Sequence, residues 1–125
     1  MITSHFQSLI KPSNYDIRLD QASIITNQVI TLKSQGYSTI LLMGDFNDNT
    51  HSKVYSLLVQ ELYDLVAIND YTYIYKGRRK RLDGIFAWIK DKSVESFLVD
   101  GYALHINTNS KLLSDHDPLI AQIVV

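Results

Sequence analysis

Thr39-Ile40-Leu41-Leu42-Met43-Gly44-Asp45-Phe46-Asn47 is the stretch on which the fold turns. Five largely branched apolar residues closed by a glycine predict a fully buried strand, Thr39 to Phe46, that stops abruptly. At the stop stand a carboxylate and a carboxamide two positions apart. Alternation along an extended chain puts Asp45 and Asn47 on one side and directs Phe46 into packing. Ligand pockets in α/β sheets lie at strand carboxyl ends. Taken alone, the pair is equally what a strand-to-loop turn uses, with Asp and Asn bonding their own backbone.

Further chemistry-bearing residues stand at the edges of other apolar runs. Ser114-Asp115-His116-Asp117-Pro118 leads into the terminal apolar strand Pro118 to Val125, and Arg81-Leu82-Asp83-Gly84 opens the strand Leu82 to Ile89. Ser4-His5-Phe6 puts a histidine on a strand spanning about residues 1–8. Around these the chain reads as one small domain of 125 residues. Lys11 to Asn14 is a turn, with Ser13 and Asp16 as a capping box. A helix follows from about Asn14 to Gln35, its apolar stripe formed by Ile17, Ala22, Ile25, Val29 and Leu32 and its end marked by Gly36. A second helix, Thr50 to Leu62, turns Val54, Leu57 and Leu58 inward. Leu65 to Asn69 and Thr72 to Tyr75 predict short irregular strands, and Ser96 to Val99 another.

Composition narrows the function. A hydrophobic fraction of 46% supports a core, and a net charge of −1 creates no global field for nucleic acid. The one basic cluster, Lys76 to Arg81, is most simply a solvated loop. Absence of cysteine excludes a disulfide framework, a thiolate metal site and a cysteine nucleophile. No stretch approaches the ~20 apolar residues of a membrane span, and the first residues lack a basic-then-apolar leader pattern. Asp117 reads as a turn former with Pro118, His51 and His105 as surface or loop histidines, and Trp88 as a core or interface aromatic.

The order His, Asp-x-Asn, Asp, Asp-His, each at a strand edge, resembles the endonuclease/exonuclease/phosphatase (DNase I-like) superfamily of metal-dependent phosphodiesterases. Its GDFN-type and SDH-type motifs stand as Gly44 to Asn47 and Ser114 to His116. Tyr71 to Gly77 followed by Leu82-Asp83 resembles the nuclease-like branch. Gly84 departs from the family pattern, which has histidine, tyrosine or arginine there. The resemblance implies an α/β (α+β) fold: half of a four-layer α/β/β/α sandwich, with residues 1–125 as the C-terminal half of the domain. It implies Mg²⁺ or Mn²⁺ as cofactor and a phosphate-ester substrate, nucleic acid ahead of lipid or sugar phosphate. Carried over, the catalytic residues are His5, Asp45, Asn47, Asp83 and His116. Asp115 and Asp45 are the metal ligands, and Asn47 and Arg79 the substrate contacts. His116 would face the scissile phosphate and Asp83 would orient it, while Asp45 would orient or deprotonate the attacking water.

The family's metal-ligating glutamate lies before the histidine strand, and this chain begins at Met1-Ile2-Thr3 within that strand. The lone chain is therefore expected to hydrolyse poorly. It is also expected to expose an apolar sheet face that self-association or a separately encoded N-terminal half would cover. A catalytically incompetent remnant, or a binding module for phosphorylated ligands, is the competing reading.

Overall fold

A computed structural model of the chain describes residues 1–5, 14–106 and 114–125, with the backbone alone described at residues 4 and 5. Strand β1 (Ile2–His5) pairs in parallel with β2 (Thr39–Asp45), and the helix α1 (Asn14–Ser34) lies between them in the chain. Helix α2 (Lys53–Glu61) and the short β3 (Tyr63–Asp64) follow. A hairpin of β4 (Tyr73–Tyr75) and β5 (Arg78–Lys80) precedes β6 (Asp83–Ile89). The helical turn α3 (Val94–Phe97) leads into β7 (Leu98–Ala103), which pairs antiparallel with β8 (Leu119–Ile123). The main sheet runs β1-β2-β6-β3. Among the described residues no helix is long and apolar enough to cross a membrane.

The apolar run of β2, expected to be fully buried, is buried at Ile40 and Leu42 on one face and half-buried at Leu41 and Met43 on the other. Ile40 and Leu42 join Phe86 of β6 in a core closed by Ala22 and Val29 of α1 and Val54 and Leu58 of α2. On the other face, Leu41 and Ile85 pack against a smaller cluster of Leu65, Ala87, Ile89 and Phe97, to which β8 adds Ala121 and Ile123. Strand alternation therefore assigns Asp45, in step with Leu41 and Met43, and Asp83, in step with Ile85, to the face that β7–β8 partly covers. The expected bare sheet face is thus reduced, and the exposed apolar side chains of this layer are Val99, Tyr102 and Ile120 on its outside.

Several boundaries differ from the sequence reading. The buried residues of α1 are Asn14, Arg18, Ala22, Thr26 and Val29, whereas Ile17 is 44% exposed. Arg18 occupies the inward position because its Nε donates to the equally buried Asp48 carboxylate at 3.0 Å. Helix α1 ends in a Schellman arrangement, with Gly36 (φ 91°) donating to Lys33 O and Tyr37 to Leu32 O, which places glycine at the left-handed position. The proposed capping serine, Ser13, lies outside the described residues, as does Phe6 of the first strand.

Leu65 to Asn69 forms no strand, because Arg81 binds Val66 O and Ala67 O and holds this segment as a loop. The strand foreseen at Ser96 to Val99 begins only at Leu98 and runs on through Gly101, the preceding residues being helical. Gly101 is there because a Cβ would lie 1.7 Å from Leu65 O, so β7 can cross that loop only where no side chain intervenes. The basic segment is not a loop. Lys76 and Gly77, both at positive φ (49° and 75°), make a two-residue turn joining β4 to β5, the geometry that right-twisted hairpins favour.

Candidate active site

Register builds the site. His5 of β1 is paired with Asp45 of β2, and Asp45 with Asp83 of β6, so these three residues form one row across adjacent strands. Like charges directly opposite one another destabilise an antiparallel pair. The two carboxylates are held at this position by His116, which enters from the segment before β8. Its Nδ1 lies 2.6 Å from Asp83 Oδ2 and its Nε2 3.8 Å from Asp45 Oδ2. With Asp83 as acceptor, Nδ1 carries the proton and Nε2 faces Asp45 and the solvent.

Asp45 closes the turn with one carboxylate oxygen, Oδ1, which accepts the Asn47 amide at 2.9 Å, and faces His116 with the other, Oδ2. Asn47 sits just past the strand at φ 49°, a conformation asparagine tolerates. Asp115 is exposed beside His116 and lies outside the group of Asp45, Asp83 and His116, whose ligand atoms all lie within 4.8 Å of one another. An open cleft of about 520 Å³ runs along the three, floored by Met43, Gly44, Gly84 and Ile85 and walled by Ser114, Pro118 and Leu119. The space that a larger residue at position 84 would take is filled by the Phe86 and Phe46 rings, packed edge to face at 5.5 Å.

Burial alone would lower the pKa of His116, but the hydrogen bond and charge of Asp83, and then the charges of Asp45 and Asp115, raise it. A raised folded-state value means that its contribution to stability is fully present below the unfolded pKa and is lost as pH rises through the folded one. In the metal-free protein the His116 ring is expected to titrate above an ordinary histidine by NMR, and Asp83→Asn to bring it down. A His116 titration at or below the ordinary value would contradict this electrostatic picture.

Three features escaped the sequence reading. Thr72, 1% exposed, accepts the amides of Leu82 and Asp83 on its Oγ1 and the Asp117 amide on its carbonyl. It thereby aligns the strand that carries Asp83 with the segment that carries His116. Asp117 is more than a turn former: buried, it takes His105 Nδ1 at 2.7 Å and the Ile106 amide. His105, exposed in the loop after β7 as expected of it, also has its Nε2 3.1 Å from Asp70 and its ring stacked on Tyr71 at 4.0 Å. Arg81, counted among the solvated basic residues, is buried in a paired contact with Asp64 and donates to the Asp83 carbonyl.

No sequence-family model and no curated protein matches the chain. Solved structures do. A mannosyl-6-phosphatase from Bacteroides thetaiotaomicron matches with a TM-score of 0.71 at 19% identity, over 98% of this chain and 50% of that one. An endonuclease/exonuclease/phosphatase from Bacteroides vulgatus matches at 0.66 and 21%, over 88% and 44%. Sphingomyelinase C from Streptomyces griseocarneus matches at 0.64 and 16%, over 96% and 51%. The chain spans about half the length of these structures. Its fold is that of the DNase I-like endonuclease/exonuclease/phosphatase proteins, and it amounts to about half of their α/β sandwich. These neighbours include phosphoester hydrolases by name.

Proposed function

We propose that the chain is the C-terminal half of a metal-dependent phosphodiesterase of nuclease-like type, with nucleic acid as its preferred phosphate ester. The observation that carries this reading is the row of Asp45 and Asp83 bridged by His116 at the mouth of an open cleft. Two facing carboxylates make a negatively charged, oxygen-rich donor set of the kind a hard divalent cation takes. Asp45 would hold Mg²⁺ or Mn²⁺, with Asp115 as a further oxygen donor. Bound there, such an ion would supply charge neutralisation at the phosphoryl oxygens and acidify a water.

The protein's own groups do the rest. Asp45 Oδ2 orients the attacking water and accepts its proton. Asp83 keeps the proton of His116 on Nδ1, so that the protonated ring offers Nε2–H to a phosphoryl oxygen where charge develops. The Asn47 carboxamide donates to a second phosphoryl oxygen, His5 belongs to the same row, and Arg79, stacked over Tyr71 on the adjoining hairpin, is the remaining proposed substrate contact. Turnover by the 125-residue chain alone is expected to be slow, because so few protein ligands hold a hard cation weakly. It is expected to rise when polypeptide corresponding to the other half of the sandwich is supplied.

The test is saturable Mn²⁺ broadening of the NMR signals of Gly44 to Asn47 and His116, measured beside hydrolysis of bis(p-nitrophenyl) phosphate. Both are expected to be lost in Asp45→Ala. Absence of saturable broadening at millimolar Mn²⁺ would remove the metal from the reading. Hydrolysis that persists in Asp45→Ala, or in the presence of a chelator, would remove this site from it.

A further inference from the structure

The β4–β5 hairpin stands directly beside the cleft, and its two faces differ. Cross-strand partners share a face, and successive residues alternate between faces. The pairs Tyr73–Lys80 and Tyr75–Arg78 therefore lie on one side, and Ile74–Arg79 on the other. The first side abuts the site: Tyr73 bridges to His116 through the backbone, and the two rings lie 5.2 Å apart. Tyr75 stacks nearly parallel behind Tyr73, at 6.4 Å and 13°. The ammonium groups of Lys76 and Lys80 sit 5.3 and 5.5 Å from the Tyr75 ring. Arg79 occupies the other face, stacked over Tyr71 at 4.6 Å, and Tyr71 in turn rests on His105.

Charge is concentrated here. The segment from Tyr71 to Lys80 holds Lys76, Arg78, Arg79 and Lys80 with no carboxylate, in a chain whose net charge is −1. Tyr75 keeps 47% of its surface exposed. A fold gains nothing by holding the Tyr75 ring in solvent among these cations, with Tyr73 half-buried behind it, whereas a polyanion carrying flat rings uses both.

We propose that the Tyr73–Tyr75 face of the hairpin, with Arg78 and Lys80, is a binding track for single-stranded nucleic acid leading away from His116. Aromatic platforms flanked by cations take successive unpaired bases by stacking and their phosphates by charge, with little regard to sequence. A duplex hides its base faces and would engage only the cations. The inference deepens the nuclease-like reading and relies on it for the direction of the track, but binding itself requires no turnover.

Fluorescence anisotropy of a labelled single-stranded oligonucleotide, with the full chain and no metal, tests it. Tyr75→Ala is expected to weaken binding roughly tenfold, and Tyr75→Phe to retain it. Arg78→Ala with Lys80→Ala is expected to reduce the slope of log affinity against log salt by about 0.7 per cation removed. Lys90→Ala, at the opposite end of β6, should change neither. Circular dichroism on each variant separates loss of binding from loss of fold, and Tyr75→Phe covers the case in which Tyr75→Ala unfolds. Binding unchanged in Tyr75→Ala, equal binding of duplex and single strand, or tighter binding to vesicles of anionic phospholipid than to the oligonucleotide would each overturn the proposal. Oligonucleotide binding that depends on Tyr75, with no metal-dependent hydrolysis even when the other half of the sandwich is supplied, would leave the track standing and dismiss the hydrolase reading. Hydrolysis with oligonucleotide binding indifferent to Tyr75 would do the reverse.

Discussion

Arg81→Met is expected to destabilise the protein by about 3–5 kcal/mol. The guanidinium is 3% exposed and its partner Asp64 10%, so the exchange strands a carboxylate in a nearly dry environment. Asp64 would keep the Tyr55 hydroxyl at 2.6 Å and the Val66 amide at 3.1 Å, neither of which carries a compensating charge. Burial, followed by the bond to Asp64, already pushes the Tyr55 pKa upward. The carbonyls of Val66 and Ala67 would lose their shared donor, Arg81 Nη1, as well. A domain of this size has roughly 5–15 kcal/mol in all, so the loss is a large part of it. Urea denaturation measures it, and adding Asp64→Leu should recover much of the deficit by removing the orphaned charge. A single-variant loss below about 1 kcal/mol would mean that the pair is hydrated after all, as an exposed ion pair is.

His116→Ala is expected to lower phosphodiester hydrolysis by about 10²–10⁴-fold, the range for loss of a positioned acid or base. Asp83→Asn should cost less, about 10–100-fold, because Asp83 acts through the imidazole and leaves the ring in place. The decisive measurement is the double variant. If the two side chains work as one unit, Asp83→Asn adds little once His116 is gone. Full additivity would show that Asp83 acts on the substrate or the ion independently of the histidine at 2.6 Å.

Residues whose placement follows from strand ends were legible in the sequence. Asp45 and Asp83 each close or open an apolar run, and pairing of the two runs puts them opposite each other. His116 stands just before the last run and reaches the same end of the sheet. Groups whose role depends on tertiary contact were not legible. Arg81 belongs to a basic stretch, and only the fold reveals Asp64 across from it. Ile17 and Arg18 exchange places relative to an apolar stripe because Asp48, thirty residues on, rewards a buried guanidinium. The strand through Gly101 was hidden because glycine lowers strand propensity, and the reason for it, the Leu65 carbonyl, is remote in sequence.

The two cores on either side of the main sheet differ in depth, and the site straddles them. Among the described residues, nine buried ones tie the helices to β2 and β6, whereas four tie on the β7–β8 layer. Elements held by fewer buried contacts open at lower free energy than the whole molecule unfolds, as separate cooperative units. Asp45 and Asp83 belong to the deeper unit, and His116, two residues ahead of Pro118, enters on the shallower one. Brief undocking of β7–β8 would therefore withdraw the imidazole from its aspartate while the rest of the sheet stays folded, and amide exchange should show Tyr102 and Ala121 less protected than Leu42 and Phe86. The histidine–aspartate contact is then not a fixed property of the native state but an equilibrium between docked and undocked layers. Whatever seats that layer more firmly also raises the fraction of molecules whose site is complete.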